Sequence, residues 1–207
     1  MILFSFILYA AHFQAIFFPL FFGYKSINKF RHLKNSNLIS WGFASIGIAS
    51  LFEMIDHTTT SWVYINHTTI FNWLFYSFLS TGLTFLSISV IKNKYYISTN
   101  LITCLLAISS YWLWGKPYAL IFQAVISLLL IINWQRKFRD WLFIAYPFFG
   151  IFLTTFLGTR LSLSNNQIWH IFIGPSGTIS AFIFFLVLSR SEEKYKKNKI
   201  KDFYYTK

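Results

Sequence analysis

The sequence predicts an all-α integral membrane protein of seven transmembrane helices, with the N-terminus outside and the C-terminus in the cytoplasm. Of its 207 residues, 56% are hydrophobic and 12% are charged, which is about half the charge of an ordinary soluble domain. Apolar stretches close to the roughly 20 residues that a helix needs to cross a bilayer recur along the chain. The basic residues collect between alternate stretches.

Seven apolar stretches account for the predicted spans, and each is expected to be a helix because lipid offers no hydrogen-bond partner to an open backbone. The first has neither a basic leading region nor a small-residue cleavage site, so it is expected to be retained. Residues 1–190 form the predicted bundle, and 191–207 form a basic cytoplasmic tail. The spans are 2–23, 38–57, 69–91, 97–114, 118–134, 141–158 and 167–189.

The orientation follows from the distribution of lysine and arginine. Sixteen of the 18 cationic residues lie after the first, third, fifth and seventh stretches, and the other two are Lys116 and Arg160. Because basic loops stay on the cytoplasmic side, this pattern predicts an odd number of spans. The expected location is therefore a cell inner membrane or an endomembrane.

Composition also excludes several classes of protein. The net charge of +12 does not indicate nucleic-acid binding, because the basic residues lie in short loops beside apolar stretches. Cys104 is the single cysteine, which rules out an intramolecular disulfide. The hydrophobic content excludes a disordered chain.

The second stretch contains two acidic residues near its outer end. Between residue 38 and Glu53 a helix rises about 22 Å, so the Glu53 carboxyl group is expected in the outer part of the hydrocarbon. His57 follows one turn later on the same face. A carboxylate at such a depth costs roughly 2.5 kcal/mol or more and normally has a partner inside the bundle. Glu53 is therefore a functional candidate, whereas Asp56, on another face, is expected to cap the helix at the interface.

Three histidines are expected at the outer side of the bundle, on helices two, three and seven: His57, His67 and His170. Three imidazoles with an open fourth position are the ligand set of a catalytic Zn²⁺, which lowers the pKa of a bound water towards 7. The sequence thus predicts a zinc site with Glu53 beside it as the base. His12, in the middle of the first stretch, is expected to be a packing residue.

Three short motifs resemble those of the CREST superfamily, the seven-helix membrane hydrolases that include the alkaline ceramidases and the progestin/adiponectin receptors. Those proteins carry Ser-x3-His at the end of helix two, an Asp near the start of helix three and His-x3-His at the start of helix seven. Here Glu53-x3-His57 and Asn166-x3-His170 stand at the first and third places, with His67 near the second. Glu53 therefore replaces the family's Ser, and Asn166 replaces its first His.

The resemblance implies a zinc-dependent hydrolase that cleaves the amide of a ceramide-like membrane lipid. In that mechanism His57, His67 and His170 hold Zn²⁺, and Glu53 transfers the proton. Asn166 or Ser176 donates to the oxyanion. Two alternatives remain. One is a non-enzymatic membrane protein, such as a small transporter or an assembly factor, with Glu53 as a proton or cation site. The other is a haem protein with His57 and His170 as axial ligands.

Overall fold

The computed structural model describes residues 2–31, 33, 35–59, 69–146 and 166–205, and these contain helices and connections without any strand. Six α-helices and one short 3-10 helix, Trp141–Ile144, are described. The α-helices are α1 (Ile2–Lys29), α2 (Ser36–Thr59), α3 (Ile70–Ile88), α4 (Lys94–Leu113), α5 (Lys116–Phe138) and α6 (Asn166–Tyr205).

The described helices agree with the predicted spans and are mostly longer. The first predicted span ended at residue 23, whereas α1 continues to Lys29; the fifth ended at 134, whereas α5 continues to Phe138. Lysine and arginine side chains reach back to water from the last turn of a membrane helix, so the helix can outlast its apolar stretch. The sixth predicted span, 141–158, begins in the 3-10 helix, and its residues 147–158 lie outside the described part. The seventh lies within α6, which continues as a helix through the predicted tail as far as Tyr205.

The described helices have the length and composition of membrane spans. Within the described residues, four helices are long and apolar enough to cross a bilayer: Phe6–Lys29, Ser36–Thr59, Lys94–Leu113 and Lys116–Phe138. The 19-residue α3 carries no charged side chain. Large apolar side chains such as Phe13, Leu105 and Ile121 are more than half exposed on these helices, as expected of surfaces that face lipid rather than water.

Side-chain contacts place the helix ends at two levels of the bundle. At one level, which we call the basic end, Lys29 Nζ lies 2.9 Å from Ser189 Oγ, and Arg190 Nη1 lies 3.1 Å from Asp140 Oδ1. At the other level, the histidine end, the rings of His12 and His57 lie 6.1 Å apart between centroids. Helices α1 to α5 alternate between the two ends, while α6 runs parallel to α1.

Glycine allows a close helix contact between α2 and α3. A Cβ atom added at Gly82 would lie 2.7 Å from Gly42 O and 2.8 Å from Ile46 Cγ1. Small residues let membrane helices approach at the backbone, which increases van der Waals contact where no hydrophobic effect drives association.

A second glycine, Gly115, immediately precedes α5 and has φ +97°, a conformation that residues with a Cβ rarely adopt. It allows the tight turn from α4.

A cluster of aromatic rings fills the core towards the basic end. The Trp134 ring stacks on Phe143 at 5.3 Å and meets Phe184 edge-on at 5.1 Å. Trp134 Nε1 donates to Leu86 O at 2.7 Å, so its polar atom is satisfied inside the core. This cluster joins α3, α5, the 3-10 helix and α6.

We expect Gly82→Ala to destabilise the protein by about 1–3 kcal/mol, because the added methyl group meets backbone atoms of α2 that cannot move independently. The measurement is thermal unfolding of the purified protein in detergent. Gly177→Ala is the matched control, since a Cβ atom there has nothing within 4 Å and alanine favours the helix. Equal unfolding temperatures for the two variants would contradict the close contact.

Candidate functional site: a polar network at the histidine end

Two buried histidines from neighbouring helices meet at the histidine end. His12 of α1 and His57 of α2 are 2% and 5% exposed, and their rings are arranged edge to face. His12 Nδ1 lies 3.0 Å from Leu8 O. Because a carbonyl oxygen only accepts hydrogen bonds, Nδ1 carries the proton, and in the neutral ring Nε2 is then the acceptor. The pair thus places a defined imidazole tautomer beside a second ring.

The carboxyl group of Asp56 links the end of α2 to the beginning of α3. Asp56 is fully buried and accepts a hydrogen bond from Thr69 Oγ1. Thr69 is the N-cap of α3, where its Oγ1 also accepts from Asn72 N at 3.0 Å. The side chain that was expected to cap α2 at the interface therefore connects two helices inside the protein.

The network continues from α3 to α4 through a buried tyrosine. Tyr111 Oη donates to Asn72 Oδ1 at 2.8 Å, and both residues are buried. The Tyr111 ring also lies 5.9 Å from that of Tyr76. One turn earlier in α4, Ile108 O accepts from Trp73 Nε1 at 3.1 Å. These contacts fix the register of α3 against α4.

A lysine and a glutamate bring opposite charges to the same end. Lys116, the first residue of α5, lies with its Nζ atom 5.6 Å from the centre of the Tyr76 ring. Glu53, half-buried on α2, interacts electrostatically with Lys116 and with Asp56. Five helices thus contribute polar side chains to the histidine end. We call this group the polar network: His12, Glu53, Asp56, His57, Thr69, Asn72, Tyr76, Tyr111 and Lys116.

The structure brings together only part of the predicted zinc site. Glu53 and His57 both belong to the polar network. His67 lies outside the described residues, as do the side chains of Asn166 and His170. Among the described residues, no group of three or more His, Cys, Asp or Glu side chains could hold a metal ion. Zinc binding by His57, His67 and His170 therefore stays a prediction.

Sequence reasoning missed His12, Asn72 and Tyr111 as members of this site. His12 was assigned to packing because it is the single histidine of its stretch, and its neighbour His57 is contributed by α2. The signal that would have indicated the pairing is the antiparallel register of α1 and α2, in which Gly23 meets Ser40 and Gly47 meets Ile16. Extending that register places residue 12 against the last turns of α2, within about two turns of His57.

Comparison with known proteins identifies the family. The model of a family described as "Seven transmembrane receptor" matches residues 4–194. The chain belongs to this family. Neither the curated proteins nor the solved structures contain a match. The family and the exposed apolar helices together make the protein an integral, multi-pass membrane protein.

The resemblance to the CREST hydrolases, and the zinc-dependent ceramidase function it implied, are corrected by this match. Seven helices with polar residues near the ends of helices two, three and seven are shared by unrelated membrane proteins, because such residues occur wherever bundles bury polar groups. The sequence also departs from the hydrolase motifs at two positions that distinguish those enzymes. Glu53 stands where they have Ser, and Asn166 stands where they have His.

We expect Tyr111→Phe to lower the stability of the folded bundle by about 1–3 kcal/mol, because the buried Asn72 carboxamide oxygen loses the donated hydrogen bond. Thermal unfolding in detergent measures the loss. Tyr118→Phe, which removes the same hydroxyl from a half-exposed tyrosine on α5, should leave the unfolding temperature within about a degree of wild type. A neutral Tyr111→Phe would show that the network does not stabilise this end.

Proposed function

We propose that the protein is a non-enzymatic, receptor-like membrane protein that senses a small polar ligand at the histidine end and transmits the change to the basic end. The observation that carries this proposal is the family match across residues 4–194. The polar network supports it, since it gathers acidic, basic and imidazole groups from α1, α2 and α5 beside uncharged polar groups of α3 and α4. Intramembrane ionisable groups gathered in this way mark functional sites.

The proposal includes seven spans with the histidine end outside. Helix α5 finishes at the basic end, where Asp140 meets Arg190. Helix α6 runs from the histidine end back to the basic end, because Gly174 packs against Ala11 and Ser189 contacts Lys29. The end of α5 and the start of α6 thus lie at opposite ends of the bundle, which supports the sixth predicted span, 141–158. The concentration of lysine and arginine at the basic end supports a cytoplasmic location for it.

Cysteine labelling in intact cells tests this topology. In a Cys104→Ala background, Thr58→Cys at the histidine end should react with a membrane-impermeant maleimide. Lys94→Cys at the basic end should react only after permeabilisation. Both residues are exposed, so a difference in their labelling reports which side of the membrane each residue faces. Labelling of Lys94→Cys from outside would reverse the proposed orientation.

Helix α6 is the element through which the two ends communicate in this proposal. Beside the polar network, the glycine backbone at Gly174 lies directly against the carbonyl group of Ala11, next to His12. At the basic end, Lys29 bonds to Ser189 and lies 4.9 Å from the centre of the Phe185 ring. A rearrangement of α1 around His12 would therefore shift both ends of its interface with α6.

We expect His57→Ala to change the position of α6 at the basic end, because it removes the ring against which His12 packs. Spin labels on Arg136→Cys and Lys196→Cys, in the Cys104→Ala background, report the distance between α5 and α6. The mean distance should change by about 1–2 Å, the size of helix shifts in switching proteins. Double electron–electron resonance measures this distance.

Thr58→Ala is the matched control, since Thr58 is adjacent to His57 but exposed and bonds within its own helix to Ile55 O. Identical distance distributions in wild type and His57→Ala would contradict coupling between the ends.

The transporter alternative is tested separately in proteoliposomes loaded with a pH-sensitive dye. Proton flux that Glu53→Gln abolishes would favour it over a receptor.

A further inference from the structure

An open cleft lies at the basic end, between the end of α5 and the middle of α6. It has a volume of about 320 Å³. It is separate from the polar network and lies at the opposite end of the bundle. The residues that line it are Arg139, Asp140, Trp141, Arg190, Glu193 and Lys194.

The cleft carries more positive than negative groups that are available to a ligand. Asp140 Oδ1 already accepts from Arg190 Nη1 at 3.1 Å and from Leu142 N at 3.0 Å. Within the described part of the chain, Arg139 and Lys194 form no ion pair, and both are exposed. Glu193 is the remaining acid. Two exposed cations therefore share the cleft with one exposed carboxylate.

Arg190 is held in position while part of its guanidinium group faces the cleft. Its Cζ atom lies 5.8 Å from the centre of the Trp141 ring, and its side chain is 43% exposed. The contact with Asp140 uses Nη1, whereas a guanidinium group has five N–H donors. Donors therefore remain for a second acceptor. Arginine so placed is suited to phosphate, because its planar donors match two phosphate oxygens.

Arg139 has a backbone conformation that is unusual for a residue other than glycine. Arg139 has φ 48° and ends α5 in the left-handed conformation, which is more often adopted by glycine at this position of a helix. A glycine would end the helix as well but would remove one of the three cations from the cleft.

We propose that this cleft binds a phosphate group through Arg139, Arg190 and Lys194. Its level in the bundle favours a phosphate from a lipid headgroup. Trp141 is 68% exposed at the end of the bundle, and exposed tryptophans are typical of the membrane–water interface. Basic residues at that depth attract anionic lipids. A soluble phosphate has the same chemistry, and the experiment distinguishes the two sources. The proposal does not depend on the receptor function.

Isothermal titration calorimetry of the full-length chain in detergent tests the site with dioctanoyl phosphatidylglycerol and, in parallel, with inorganic phosphate. We expect Arg139→Gln/Lys194→Gln to weaken phosphatidylglycerol binding about tenfold or more, since two charge-assisted contacts are lost. Arg136→Gln/Lys137→Gln removes the same charge from exposed residues of α5 outside the cleft and should change the affinity less than twofold. Glu193→Gln should tighten binding, because it removes a repelling carboxylate.

Each outcome decides the proposal. Binding of phosphatidylglycerol alone identifies a lipid headgroup, and binding of both ligands with the same dependence on Arg139 and Lys194 identifies a general phosphate site. Equal weakening in the two double variants would show diffuse surface attraction and would overturn the proposal. So would absence of binding to the wild type, or equally tight binding of dioctanoyl glycerol, which has no phosphate. Unchanged unfolding temperatures confirm that the variants are folded.

Discussion

Every polar side chain placed inside this bundle needs a hydrogen-bond partner within the protein, because the surrounding lipid supplies none. Between α3, α4 and α5 this requirement produces a chain of hydrogen bonds. Asn133 Nδ2 donates to Ser87 Oγ, which donates to Asn100 Oδ1 at 2.7 Å. Asn100 Nδ2 in turn donates to Tyr96 O. Apolar contacts alone allow helices to slide or rotate, whereas these directional contacts define one register.

The same requirement creates the polar network at the other end. Asp56 is buried against the capping threonine of α3, and Asn72 is bonded to Tyr111 of α4. Once the helices are fixed by such contacts, groups with useful chemistry come together at one level, including His12, His57 and Glu53. Stability and the proposed sensing role therefore have a common physical origin here. That is why polar residues near helix ends are weak evidence for any particular reaction, and why the hydrolase interpretation was wrong.

Helix α6 contacts the same neighbour, α1, at both ends of the bundle. It packs on α1 through Gly174 near the polar network and through Ser189 at the basic end. It continues to Tyr205, and Arg190 joins it to the corner after α5 through Asp140. Basic residues from which the orientation is predicted thus also hold this helix and line the cleft at the basic end.

The sequence by itself determined the helical membrane fold and the approximate position of each described helix, because hydrophobic length and charge are properties of local segments. It also identified Glu53 and His57, since an acid and an imidazole one turn apart are visible in one stretch. It did not reveal His12, Asn72 or Tyr111 as their neighbours. Those contacts depend on how deeply each helix lies relative to the next, and only packing at Gly42, Gly82 and Gly174 decides that. The tertiary structure alone also created the phosphate cleft, because Arg139 and Lys194 are distant in the chain and meet only where α6 returns to the end of α5.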